Sequence, residues 1–166
     1  MPEASTREAA ARDRRAGKSA GTQAGEYVHE EIEHVRKGEH GVKNTSQAIA
    51  IGLSKARRDG VDAKPSRSAS RSVKQKAAQD SKAASKTTPA SATRSNGAKQ
   101  ALKTASRQTT ATQAVGGKAL STQASKAASQ RTAASRSAAA SKAARTKGPT
   151  ARKAAARKAA RTRKQA

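Results

Sequence analysis

The sequence predicts a small all-α N-terminal region of two to three short helices followed by a long intrinsically disordered basic tail. Charge is the first observation behind this. Residues 1–62 carry eleven Lys and Arg against ten acids, net +1, whereas residues 63–166 carry twenty-five against Asp80 alone, net +24. The second is apolar content. Beyond Asp62 the only side chains larger than Ala that are apolar are Val73, Leu102, Val115 and Leu120, and Tyr27 is the only aromatic residue of the chain. The third is that capping residues and stop glycines frame short apolar stripes before residue 62. Ordering a residue costs roughly 1–2 kcal/mol of backbone entropy. Four scattered apolar side chains at ~1.5–3 kcal/mol each cannot offset that over the tail.

The first helix is predicted from Ser5-Thr6-Arg7-Glu8, a capping box in which Ser5 and Glu8 satisfy each other's backbone amides. Strong helix formers follow to Arg15 and Ala16, and Gly17 stands where a terminating glycine belongs. With no large apolar residue, this helix reads as a marginal arm.

The second helix has Thr22 as its N-cap and Gly38 as its stop. Val28, Ile32 and Val35 fall at i, i+4 and i+7 on one stripe, with Tyr27 beside it. Glu26, Glu30, Glu31 and Glu33 precede Arg36 and Lys37, the order the helix dipole favours.

The third helix begins at Asn44-Thr45-Ser46-Gln47, with Asn44 as N-cap and Gln47 three residues on. Ile49, Leu53 and Ala56 form its stripe, Ile51 flanks it, and Gly60 can end it. Gly52 costs roughly 1 kcal/mol against Ala inside a helix. Its expected compensation is a close approach of the second helix. The short link Gly38–Lys43 predicts an antiparallel or angled pair. A core of about seven side chains is thin for such a region. Residues 22–60 are therefore expected to offer a surface for self-association or a protein partner.

The tail, 63–166, has neither a strand period nor a heptad. It repeats small residues around one cation, as in Ser81-Lys82-Ala83-Ala84, Ser125-Lys126-Ala127-Ala128 and Ser141-Lys142-Ala143-Ala144. Lys64-Pro65, Thr88-Pro89 and Gly148-Pro149 should stop helices. Residues 151–164 differ in being Ala-rich, and a helix would align Lys153, Arg157, Arg161 and Lys164. Like charges four apart oppose that helix by tenths of a kcal/mol per pair. The expectation is coil in the free chain and helix on a polyanion. The candidate nucleic-acid-binding residues are Lys142, Arg145, Lys147, Arg152, Lys153, Arg157, Lys158, Arg161, Arg163 and Lys164.

Several chemistries find no support. Without Cys there is no disulfide, thiolate metal site or Cys nucleophile. His29 and His34 are five apart, roughly 140° around a helix, which suits exposed histidines better than shared ligation. Glu30, Glu31 and Glu33 read as a solvated acidic face able to attract the tail and compete with DNA, not as paired catalytic carboxylates. Gly116-Gly117-Lys118 lacks the strand, helix and spacing of a phosphate loop and reads as punctuation. No catalytic residue, metal or cofactor is expected, and the protein is not expected to be an enzyme. No run approaches a membrane span, the basic segments lack the apolar face needed for stable membrane anchoring, and Met1–Ala16 has no apolar leader.

Two stretches, Met1–Ala10 and Glu31–Arg57 with its Gln47-Ala48-Ile49-Ala50-Ile51-Gly52-Leu53-Ser54 segment, resemble a family of small bacterial proteins whose hallmark is that short helix. The resemblance spans about residues 1–62, implies a bacterial source and supplies no catalytic residue. The tail resembles linker-histone C-terminal tails and bacterial histone-like proteins in composition. The expected function is DNA binding without sequence readout, in the cytoplasm at the nucleoid. Duplex DNA is favoured and RNA is a second polyanion, because the tail has no aromatic to stack on unpaired bases. The alternative is an adaptor whose helices hold a protein while the tail tethers it to RNA, ribosome or anionic membrane.

Overall fold

The computed structural model describes residues 2–84, 96–103 and 109–165, with side chains except at 146, 147, 159 and 162–165. The Thr88-Pro89 step lies outside the described residues. The described residues form the helices α1 (Ala4–Arg15), α2 (Ala20–Arg36), α3 (Thr45–Arg58), α4 (Arg71–Ala84), α5 (96–103), α6 (Ala111–Val115), α7 (Gly117–Ser129) and α8 (Ala133–Gln165). Contacts divide the chain into a unit of Met1–Gln123 and a unit of Ala124–Ala166.

The expected disordered tail is thus corrected: the region after residue 62 is mainly helical in its described parts. Weighing entropy against burial alone neglects intrinsic propensity. Ala, Lys, Arg and Gln are among the best helix formers, and their small advantages add over a long segment. The like-charge penalty, a few tenths of a kcal/mol per pair, does not reverse that sum. Residues 151–164 form part of α8.

In the first unit, α1 packs on α2, α2 on α3, α3 on α4, and α6 on both α2 and α3. Ser19 caps α2 by accepting from the Thr22 amide at 3.3 Å, three residues ahead of the expected cap. Asn44 caps α3 as expected, accepting from the Gln47 amide at 3.0 Å, while Gln47 Oε1 accepts from Lys43 N at 2.7 Å. The box expected at Ser5 does not form. Glu3 is the α1 N-cap, and its amide donates to Glu30 Oε2 at 3.0 Å, which docks the start of α1 on α2. Gly17, Gly38 and Gly60 end their helices at φ of 68°, 76° and 91°.

Two small apolar clusters hold the unit. Ala10, Ala24, Tyr27, Ala56 and Ala63 form one, flanked by Leu53 and Val61. Val35, Val42, Ala48, Ala114 and Val115 form the other, flanked by Ile32, Ile51, Leu102 and Ala111. Early α2 meets late α3 in the first cluster and late α2 meets early α3 in the second, so the pair is antiparallel. Gly52 sits at the crossing. A Cβ there would lie 2.6 Å from Val28 Cα and 2.9 Å from the Tyr27 carbonyl oxygen, so the close approach expected of this glycine is present.

Residues of the basic region complete this unit. Thr110 and Gln113 form a reciprocal capping box on α6, which carries Ala114 and Val115, both fully buried, to α2 and α3. Thr45 Oγ1 donates to the Ala114 carbonyl. Asp80 on α4 is buried against α3.

The second unit comprises the end of α7 and α8. The α8 ladder breaks at Gly148 (φ 66°, ψ 170°), a conformation essentially restricted to glycine, and Pro149 starts the following run. The helix stop expected at Gly148-Pro149 is therefore present as a kink. Among the described residues no helix is long and apolar enough to cross a membrane.

Candidate nucleic-acid interface

Residues 124–166 contain thirteen Lys and Arg and no Asp or Glu. No side-chain carboxylate of this unit can neutralise them. Helix geometry then decides where they point. At 100° per residue, Arg152, Lys153, Arg157, Arg161 and Lys158 spread over roughly 240° of the α8 circumference, leaving Ala151 and Ala155 on the remaining side. All five cations are exposed. Thr150, Lys153, Ala154, Arg157, Lys158 and Arg161 line one shallow open groove along the helix. Arg152 turns back at the kink, its Nε donating to the Gly148 carbonyl at 3.3 Å.

Of the candidate residues, Lys153, Arg157, Lys158 and Arg161 are brought together on this groove, and Arg152 stands beside it. Lys142 and Arg145 are exposed on the run before the kink. Lys147 immediately precedes Gly148, and Arg163 and Lys164 fall in the last helical turn; the side chains of these three lie outside the described residues. The groove is open and has no aromatic residue in its lining. It suits a polyanion that presents repeated charges along a line.

The acidic residues behave differently. The expected solvated face of Glu30, Glu31 and Glu33 is corrected: Glu30 and Glu31 are buried, at 5% and 0% exposure. Lys55 of α3 reaches both, its Nζ 2.9 Å from Glu30 Oε1 and 2.8 Å from Glu31 Oε2. Burial alone would raise the Glu30 carboxyl. Hydrogen bonds from Lys55, Thr6 and the Glu3 amide outweigh it and hold Glu30 below the usual carboxylate range. Burial likewise works against the Lys55 ammonium, but the Glu31 and Glu30 carboxylates overcome it and raise its pKa.

Other acids are also engaged. Asp59 accepts both contacts of Arg7 Nε, at 3.1 and 3.0 Å, and the Tyr27 hydroxyl. Burial first, and then the bond to Asp59, push the Tyr27 phenol well above its ordinary range. Asp80, 1% exposed, receives Ser54 Oγ at 2.8 Å, Arg58 Nε at 3.0 Å and Lys76 Nζ at 2.8 Å. Burial would raise this carboxyl too, yet those three donors hold it low. Asp80 therefore ties α4 to α3.

The histidines are also not uniformly exposed. His29 is, but the His34 and His40 side chains are only 12% and 20% exposed. Their rings stand edge to face with centroids 6.1 Å apart. The signal for this was Glu31-x-x-His34, an i, i+3 spacing that places both side chains on one helix face, whereas His29 and His34 do not share one.

Comparison with protein-family models, curated proteins and solved structures finds no match to this chain.

Proposed function

We propose that the protein binds duplex DNA through phosphate contacts, without sequence readout, as an architectural component of a bacterial nucleoid. The observation that supports this is the acid-free second unit, whose α8 carries Lys153, Arg157 and Arg161 exposed on one groove. A helix of this diameter fits the major groove, which is ~12 Å wide, and cations around most of its circumference can meet phosphates on both walls. The described side chains of α8 that are not cationic are mainly Ala, Ser and Thr, which offer little base discrimination. Each phosphate neutralised releases counterions, so affinity should fall steeply with salt. Neutralising ~8 phosphates gives a slope of about −7 in log K against log salt.

The test is fluorescence anisotropy of the full chain on labelled duplexes of unrelated sequence at two salt concentrations. Comparable affinities across sequences are expected, with binding still measurable at ~150 mM salt. Replacing Lys153, Arg157 and Arg161 together by Gln should flatten the salt slope by about 3, close to one per cation lost. Undetectable binding at ~150 mM salt would overturn the proposal. A marked preference for structured RNA over duplex would replace it with the tethering role.

A further inference from the structure

The geometry points to a site for one divalent transition-metal ion at Glu31, His34 and His40, where α2 ends and the chain turns toward α3. Gly38, at φ 76°, reverses the chain after α2 and returns His40 to the face that carries Glu31 and His34. One ligand atom from each of the three residues lies within 4.8 Å of the other two. A small rotation of each side chain brings such atoms to the edge length of a tetrahedron with metal–ligand bonds of ~2.0–2.2 Å.

The second observation is independent of this clustering. Glu31 is fully buried, and both of its carboxylate oxygens, with His40 Nδ1, are buried without a hydrogen bond. Lys55 Nζ and His40 Nε2 approach the carboxylate at 2.8 and 3.2 Å, close enough for charge pairing but not aligned as hydrogen bonds. Buried polar atoms are otherwise almost always satisfied, so Glu31 Oε1, which faces His40 Nε2, calls for an occupant beside it. A cation between Glu31 Oε1 and the imidazoles would supply it.

The surroundings suit that occupant. Lys55 lies on the Oε2 side of Glu31 and also holds Glu30, which leaves Oε1 for the metal. Glu3 Oε1 and Glu39 Oε2 lie 3.1 and 3.6 Å from His34 Nε2. Either can orient that imidazole or give a fourth oxygen. The carboxylates of Glu3, Glu31 and Glu39 also favour a dication. An open cleft of about 270 Å³ between α1 and α2, lined in part by Glu3, Glu30 and Glu33, reaches His34 of this group. Two imidazoles with a carboxylate select ions of the Zn²⁺, Co²⁺, Ni²⁺ and Cu²⁺ type over Mg²⁺ and Ca²⁺.

Isothermal titration of the untagged, chelator-treated full chain with Zn²⁺ tests the site. One ion per chain is expected, with a rise in the thermal midpoint that excess Ca²⁺ does not cancel. His40→Ala and His34→Ala should each weaken Zn²⁺ binding at least about tenfold, while His29→Ala, on an exposed residue, should leave it unchanged. His40 lies in a loop, so its variant keeps the test valid if Glu31→Gln fails to fold. Absence of binding at ~1 mM Zn²⁺, displacement by Ca²⁺, or a parent-like affinity in His40→Ala or His34→Ala would overturn the assignment.

Discussion

The two units carry nearly the same net charge and use it in opposite ways. Residues 1–123 hold twenty-three Lys and Arg against eleven acids, net +12, and residues 124–166 hold thirteen against none, net +13. In the first unit the acids are structural. Asp59, Asp80, Glu30 and Glu31 bind Arg7, Arg58 and Lys55 across helices that have little apolar surface to share, and Asp80 also binds Lys76 one turn away on α4. A phosphate approaching those cations would have to compete with a carboxylate already in place. In the second unit Lys153, Arg157 and Arg161 are exposed on a helix whose unit contains no acidic side chain. Net charge therefore says little about binding until the location of the counter-charges is known.

The comparison can be broken most forcefully at Lys55. Lys55→Met leaves Glu30 and Glu31 buried without their cation and should cost about 3 kcal/mol, the usual scale for removing one partner of a buried pair. Chemical denaturation of the full chain would show it; an unchanged midpoint would mean that the acids of the first unit are not structural. Gly52→Ala comes next. Its Cβ meets α2 backbone at 2.6 Å. The ~1 kcal/mol gained in helix propensity is outweighed by overpacking, for a net loss of about 2 kcal/mol in the same assay. Replacing Lys153, Arg157 and Arg161 by Gln should invert the pattern. Stability should change by less than about 0.5 kcal/mol while DNA affinity falls. A large stability change there would erase the distinction between the units.

The smallest effect is set by pH. Asp80 and Glu30 have folded pKa values below their ordinary values of ~4. Their contribution is complete above those ordinary values and is lost as pH falls through the depressed folded values. The thermal midpoint should hold steady from about pH 5 to 8 and drop below about pH 4. In Lys76→Gln the Asp80 depression shrinks, so the drop between about pH 6 and pH 3 should be smaller than in the parent. An equal drop would remove Lys76 from the account.

The antiparallel pair was readable because its signals are local: Asn44 with Gln47, Gly38, Gly60, and the stripe around Val35. Even the close contact at Gly52 followed from an otherwise unfavourable glycine. The rest depended on partners distant in sequence. Val115 reads as an isolated apolar residue until α6 brings it to Val35 and Val42. Asp80 reads as a lone acid among cations until Arg58 and Ser54 meet it. Glu31 belongs to an apparently polar run because the helical period alone does not reveal that Lys55 will cover it. For α8 the candidate cations were legible but their order was not, since propensity summed over a long Ala-rich segment outweighed the lack of a core.

The kink at Gly148 bears on stoichiometry. The straight run from Pro149 to Gln165 is about 25 Å long at 1.5 Å per residue. Duplex DNA advances ~3.4 Å per base pair. In the proposed mode, a rod of that length lying along the duplex would cover some seven base pairs, less than one full turn. Gly148 would thus act as a ruler: the footprint per chain is limited by where the rod bends rather than by the total number of its charges, and saturation of a long duplex would count chains in units of that length.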